Sequence, residues 1–124
     1  MPELVSMPIA TQNPDSLRYA TDDRVSDFYS VQGDASLGQF LREHPAIPHL
    51  LIEAVPELRR YFGDTEFALR LTSDDHGWET LYVDALWHGQ AHEAIAALDR
   101  FEDAWWIENS HAASGSLTFT YRLV

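Results

Sequence analysis

Two groups of residues in this 124-residue chain have types and spacings that could do chemistry at a pocket. His88 and His92 are an i, i+4 histidine pair followed by Glu93, an arrangement that can hold a metal ion when it lies on one continuous helix. Gly89, however, places His88 at or before the start of a helix, where that spacing no longer guarantees a common face. The run is also not the His-Glu-x-x-His pattern of zinc proteases. Glu93 in a first turn is accounted for by the helix dipole. The expectation is no metal and no cofactor here. His44 and His49 are separated by Pro45 and Pro48, which makes them a weaker pair still. Glu102 is the second group, projecting on a helical wheel among Leu98, Phe101, Trp105 and Trp106. A carboxyl in apolar surroundings titrates high and can serve as a general acid. At the margin of the stripe it simply reaches water or an arginine, and the sequence offers it neither a partner group nor a cleft. No catalytic residue is therefore assigned.

A third group is spread over three segments. Arg70, Tyr82, Asp84 and Arg122 all fall on the polar side of alternating runs, with Glu66, Thr72, Thr80, Thr118 and Thr120. Cross-strand pairing explains much of this: Arg70 with Asp84, threonines beside threonines. The same set also makes a flat binding surface, because tyrosine and arginine most often dominate interface energetics. Trp105-Trp106 resembles a base-stacking pair only superficially, since Glu102, Asp103 and Glu108 flank it and such platforms need positive grooves. Gly33 and Gly38 make no phosphate loop, and Ser114-Gly115-Ser116 reads as loop punctuation.

The elements that position these residues are legible in outline. Residues 1–24 hold Pro2, Pro8 and Pro14 and no lasting period, which predicts an irregular or mobile arm; residues 25–124 form a single domain. Val25 to Gln32 suits a short helix through Val25, Phe28 and Tyr29, and equally a strand. Ser36 and Gln39 match a capping box opening a helix that Pro45 stops. A second helix begins near Pro48, with Ile47, Leu51, Ala54, Val55, Leu58 and Phe62 on one side and Gly63 as its stop. Pro56 predicts a kink or break within it.

Two alternating runs follow, Glu66–Thr72 and Thr80–Trp87, joined by the turn Asp74-Asp75-His76-Gly77: an antiparallel hairpin with one apolar face. Gln90–Asn109 reads as the longest helix, its stripe being Ala91, Ala94, Ile95, Leu98, Phe101 and Trp105, with Trp106 at the edge. Ser116–Val124 alternates as a third strand. The expected fold is an α+β two-layer sandwich in the order α-α-β-β-α-β. Its small antiparallel sheet has strand order 2-1-3, joined by a right-handed crossover, with the helices on one face. The second and third strands would each leave an edge open to a second copy or to an added strand, giving a homodimer through a sheet edge.

Charge sets the class of partner. Twenty acidic residues face eight basic ones, all arginine, for a net charge of −12. Such a field repels phosphate backbones and anionic lipid and attracts cations, which points to a basic protein partner and away from direct nucleic-acid or membrane binding. The absence of cysteine excludes disulfides, thiolate ligands and a cysteine nucleophile. No apolar run approaches the ~20 residues of a bilayer span, and Met1–Ala10 has no signal-peptide pattern, so a cytoplasmic location is expected.

The runs FLREHP at 40–45, LLIEAVPELRRYFGD at 50–64 and EAIAALDRFEDAWW at 93–106, with a hairpin between, resemble a group of small, acidic, uncharacterised bacterial proteins, many of them cyanobacterial. The resemblance spans Phe28 to Trp106 and implies a compact accessory protein of antitoxin-like role; it assigns no activity and no site residue. The leading functional expectation is thus a non-enzymatic protein-binding module, antitoxin- or inhibitor-like. The alternatives are a small-ligand enzyme or sensor with a pocket between the sheet and the long helix, using Glu102 or the His88, His92 and Glu93 group, and a nucleic-acid mimic.

Overall fold

A computed structural model describes residues 24–31 and 35–124. The expected arm falls outside the described residues except for Arg24, which lies in a helical stretch over 24–28. Of the two readings of Val25–Gln32, the helix holds at its start and a strand is found only at Ser30–Val31, with Gln32 outside the described residues. The helical stretch is followed by a two-residue strand, β1 (Ser30–Val31). Val25 and Tyr29 are buried, and the Tyr29 hydroxyl donates to the Leu51 carbonyl at 2.6 Å.

Helix α1 (Ala35–Glu43) already includes Ser36, so the expected N-cap lies inside the helix. The Gln39 side-chain amide donates to Glu43 one turn on, at 3.2 Å. The helix ends before Pro45 as expected, and the His44 ring stacks on Phe40 with centroids 4.2 Å apart. Helix α2 (Ala46–Phe62) starts two residues ahead of Pro48 and runs unbroken through Pro56. That proline is exposed, where the loss of its amide donor leaves only the Ile52 carbonyl to be satisfied by water. Gly63 ends the helix at φ +70°, a conformation that suits glycine alone.

Strands β2 (Glu66–Ser73) and β3 (Glu79–Trp87) form the expected antiparallel hairpin. Phe67 faces Ala85, Leu69 faces Val83 and Leu71 faces Leu81 on the apolar side. Helix α3 (Ala91–Phe101) starts from Gln90, whose backbone N–H donates to the Glu93 carboxylate at 3.0 Å. A π-helical turn, Glu102–Trp106, follows, in which the Ile107 N–H reaches five residues back to the Glu102 carbonyl. A short α4 (Ile107–Asn109) and a 3-10 turn (Ser110–Ala113) lead to β4 (Leu117–Leu123).

The α+β class holds, but the sheet differs from expectation. It is mixed rather than antiparallel, and its order is β1-β2-β3-β4 rather than 2-1-3. The last strand lies beside β3 and parallel to it, Val83 opposite Phe119, while β1 adds in parallel to β2. β3 is therefore flanked by long strands on both sides, whereas β2, the strand expected at the centre, has only the two residues of β1 on its outer side, and an extra strand precedes α1 in the element order. The cause is the unit β3–α3–β4. A strand returning through one crossover helix pairs directly with the strand it left, and the resulting central strand is buried on both faces. Leu81, Val83, Asp84 and Ala85 are indeed all buried.

The π turn corrects the helical stripe as well. Each α-helical residue advances about 100° around the axis, and a π turn inserts one extra residue. Trp106 is thereby rotated into the core and Trp105 is left half-buried; Ile95, in α3 ahead of the turn, faces solvent independently of it. Trp106 packs against Phe119 with centroids 4.8 Å apart, and Phe101 does so at 4.9 Å. One apolar cluster joins α1, α2, α3 and the inward side of the sheet, so the helices cover one face and leave the other to the polar side chains. Among the described residues no helix is long and apolar enough to cross a membrane.

Candidate functional site

The strands bring Arg70, Tyr82, Asp84 and Arg122 together on the face away from the helices. Arg70 stands opposite Tyr82, Ala68 opposite Asp84, Asp84 beside Thr120 and Leu86 beside Arg122. The Arg70 guanidinium donates from Nε and Nη2 to the two carboxylate oxygens of Asp84 at 2.9 and 3.1 Å. Its charge also lies 4.5 Å from the centre of the Tyr82 ring. Arg122 approaches the same carboxylate from the neighbouring strand at 3.9 Å.

Asp84 itself is 1% exposed. It therefore reaches the surface only through the two arginines it holds, each with close to half of its side chain in solvent. The hydrogen bond that Arg70 donates to Asp84 raises the Arg70 pKa further, against the opposing effect of burial. Thr72, Thr80, Thr118 and Thr120 surround the cluster half-buried, and the Thr72 hydroxyl is tied to the Thr80 carbonyl at 3.3 Å. Glu66, at the far end of β2, accepts from the Ser30 hydroxyl and so ties β1 to the same face.

The other candidates are placed apart from this cluster. Glu93 is engaged by the Gln90 N–H at the start of α3, and His88 and His92 are both exposed. Among the described residues no three His, Asp or Glu side chains are arranged to hold a metal ion. His88 lines an open groove with Asp64, Thr65 and Glu66 at the end of the sheet. Glu102 lies half-buried on the π turn. Burial raises its pKa, and the like charges of Asp99 and Asp103 add to the effect. The space between sheet and long helix, where the alternative reading put a ligand pocket, is occupied by Ala97, Phe101, Trp106, Val83 and Phe119 of one apolar cluster.

No family model, curated protein or solved structure matches this chain. The edge expectation changes with the topology. Glu79–Trp87 is paired on both sides, and among the described residues the outer strands are β1 and β4, with β2 also unpaired on its outer side where the two residues of β1 do not reach.

One exposed residue escapes the periodicity reading altogether. Trp78 stands at the end of the hairpin turn, outside both alternating runs, and is 53% exposed. Its sequence signal is phase: it falls in step with Thr80 and Tyr82, the polar side of β3, and not with Leu81 and Val83.

Proposed function

We propose that this chain is a non-enzymatic, cytoplasmic docking module that binds a basic protein partner through the polar face of its sheet. The observation that carries this reading is the buried Asp84, which fixes Arg70 over Tyr82 and draws in Arg122 before any partner arrives. Ordering long side chains is a main penalty of association, and a surface already ordered avoids it. Tyrosine and arginine are the types most often decisive at such contacts.

The two arginines do not oppose a basic partner, because Asp84 and Glu66 on the same face balance them. The remaining excess of negative charge acts at longer range, speeding encounter with a cation and excluding polyanions. Covering a partner's cationic surface would block whatever else uses that surface, as an inhibitor or antitoxin does.

The test is co-expression with the product of a neighbouring gene, comparing the parent with Tyr82→Ala and Arg122→Ala. The expected result is co-purification of a basic protein, with binding by Tyr82→Ala weakened at least ~10-fold and an unchanged circular dichroism spectrum. Arg70→Ala is a poor probe because it would strand the buried carboxylate. Undiminished binding by both variants, or turnover of a substrate by the isolated domain, would overturn the proposal.

A further inference from the structure

The hairpin tip presents an aromatic side chain that folding does not use. Trp106 is buried, and Trp87 and Trp105 pack against the apolar cluster, but Trp78 belongs to no part of it. An indole left 53% exposed is unusual where a single substitution would remove it, and tryptophan is the side chain most enriched among dominant interface contacts.

The tip is also fixed. The Asp74 carboxylate accepts from the His76 and Trp78 backbone N–H groups at 2.9 and 2.8 Å. Asp74 N–H donates back to the Trp78 carbonyl at 3.0 Å, and Gly77 N–H to the Asp74 carbonyl at 3.1 Å. Gly77 closes the turn at φ +82°. The Trp78 backbone is thus held on both sides while about half of the residue stays open to water. Asp74 and Trp78 lie just beyond Ser73 and Glu79, the last pair of the hairpin ladder, so Trp78 sits at the hairpin tip two residues ahead of Thr80 on the polar side.

Charge selects what the ring would meet. Residues 73–79 contain Asp74, Asp75 and Glu79 and no arginine. Elsewhere the chain sets its own cations over rings, Arg70 over Tyr82 and Arg59 over Phe28. Among the described residues none is set over Trp78. The face of an indole is the strongest of the natural rings for a cation, and neighbouring carboxylates add to that attraction.

We infer that Trp78 anchors the docking surface by taking an arginine or lysine side chain of the basic partner onto its indole face, with the acidic charge of the hairpin tip around it as counter-charge. The inference rests on the docking reading above and names the chemistry of its contact.

The test uses the full chain and the peptide acetyl-(Arg-Gly)4-amide, followed through the four indole N–H resonances in 150 mM salt. Trp78→Phe identifies the Trp78 signal. The expected result is a saturable shift of that signal alone, with Trp78→Ala weakening the peptide at least ~10-fold and Trp78→Phe, which keeps a ring, weakening it less. Absence of a Trp78 shift, equal affinity for parent and Trp78→Ala, or a Trp78 shift on simple concentration without peptide would overturn the inference, the last by showing a second copy as the occupant. The two proposals fail separately. If Tyr82→Ala loses the natural partner while Trp78→Ala keeps it, the anchor is refuted and the docking face stands. If neither variant loses it, both are refuted.

Discussion

Arg70 stands directly across the hairpin from Tyr82 but bonds the carboxylate of Asp84, two residues further along β3, with both arms of its guanidinium. The diagonal reach lets one arginine cover a tyrosine ring and neutralise a buried acid together. It also makes the two members of the pair unequal. Arg70 can turn to water, and Asp84 cannot.

That inequality predicts a specific pattern in urea unfolding. Arg70→Met leaves a buried carboxylate with Arg122 at 3.9 Å as its remaining cation, and should lower stability by about 2–4 kcal/mol. The loss comes from the stranded charge and not from the attraction itself, which water screens at the exposed arginine. Replacing both residues, Arg70→Met with Asp84→Leu, should therefore recover at least about 1 kcal/mol of the single variant's loss. Equal losses in the single and double variants would show that burial of the carboxylate is not the source.

Two glycines give opposite expectations from the same substitution. A Cβ at Gly89 would lie 2.9 Å from Trp87 Nε1, a buried N–H with no hydrogen-bond partner among the described residues, and 2.9 Å from Glu93 Oε1. The carboxylate can move, but the indole is held against Phe62, so Gly89→Ala should lower stability by about 1–2 kcal/mol. Gly38 lies within α1, and its Cβ would meet only the tip of Arg42 at 3.4 Å. Gly38→Ala should raise stability by about 0.5–1 kcal/mol. Thermal or urea midpoints of the two variants check both signs.

These contrasts also show what the sequence could and could not carry. Alternation in Glu66–Thr72 and Thr80–Trp87 was enough to place Arg70, Tyr82 and Asp84 on one face, because side-chain direction along a strand is local. Strand neighbours are not local. Nothing in Leu117 to Leu123 says whether they lie beside β2 or β3. The near-continuous apolar run Leu81 to Trp87, broken only by Tyr82 and Asp84, was the available sign that β3 is central. The burial of Asp84 followed from that central position and was equally hidden. The π turn escaped because Phe101 and Trp105 fit an α-helical stripe as well as Phe101 and Trp106 fit the interrupted one. Trp78 escaped because it lies just outside the runs that periodicity can read.

Glu102 makes stability depend on pH in a predictable direction. Burial, aided by Asp99 and Asp103, raises its pKa in the folded protein above the unfolded value. The folded state therefore holds this proton more tightly than the unfolded one. The resulting stabilisation is complete below the ordinary glutamate pKa, about 4.3, and is lost as pH rises through the folded value. Glu102→Gln, which cannot ionise, should melt at a higher temperature than the parent at pH 7. The two curves should converge below about pH 4. A constant offset at every pH would mean that side-chain size, and not charge, separates the variants.

The π turn itself is open to a deletion test. If it holds one residue more than an α-helix needs, removing exposed Ala104 should let Glu102–Trp106 close as ordinary helix while Trp106 still points at Phe119. Such a variant should keep its near-ultraviolet tryptophan signature and stay within about 1 kcal/mol of the parent. Removing half-buried Ala96 from α3 makes the contrast. No extra residue is present there, so every position on one side of the cut turns by about 100° and Ala97 and Phe101 lose register with Ala94. That deletion should unfold the domain or abolish its tertiary signal. Tolerance of both deletions, or of neither, would show that the turn is not what brings Trp106 into the core.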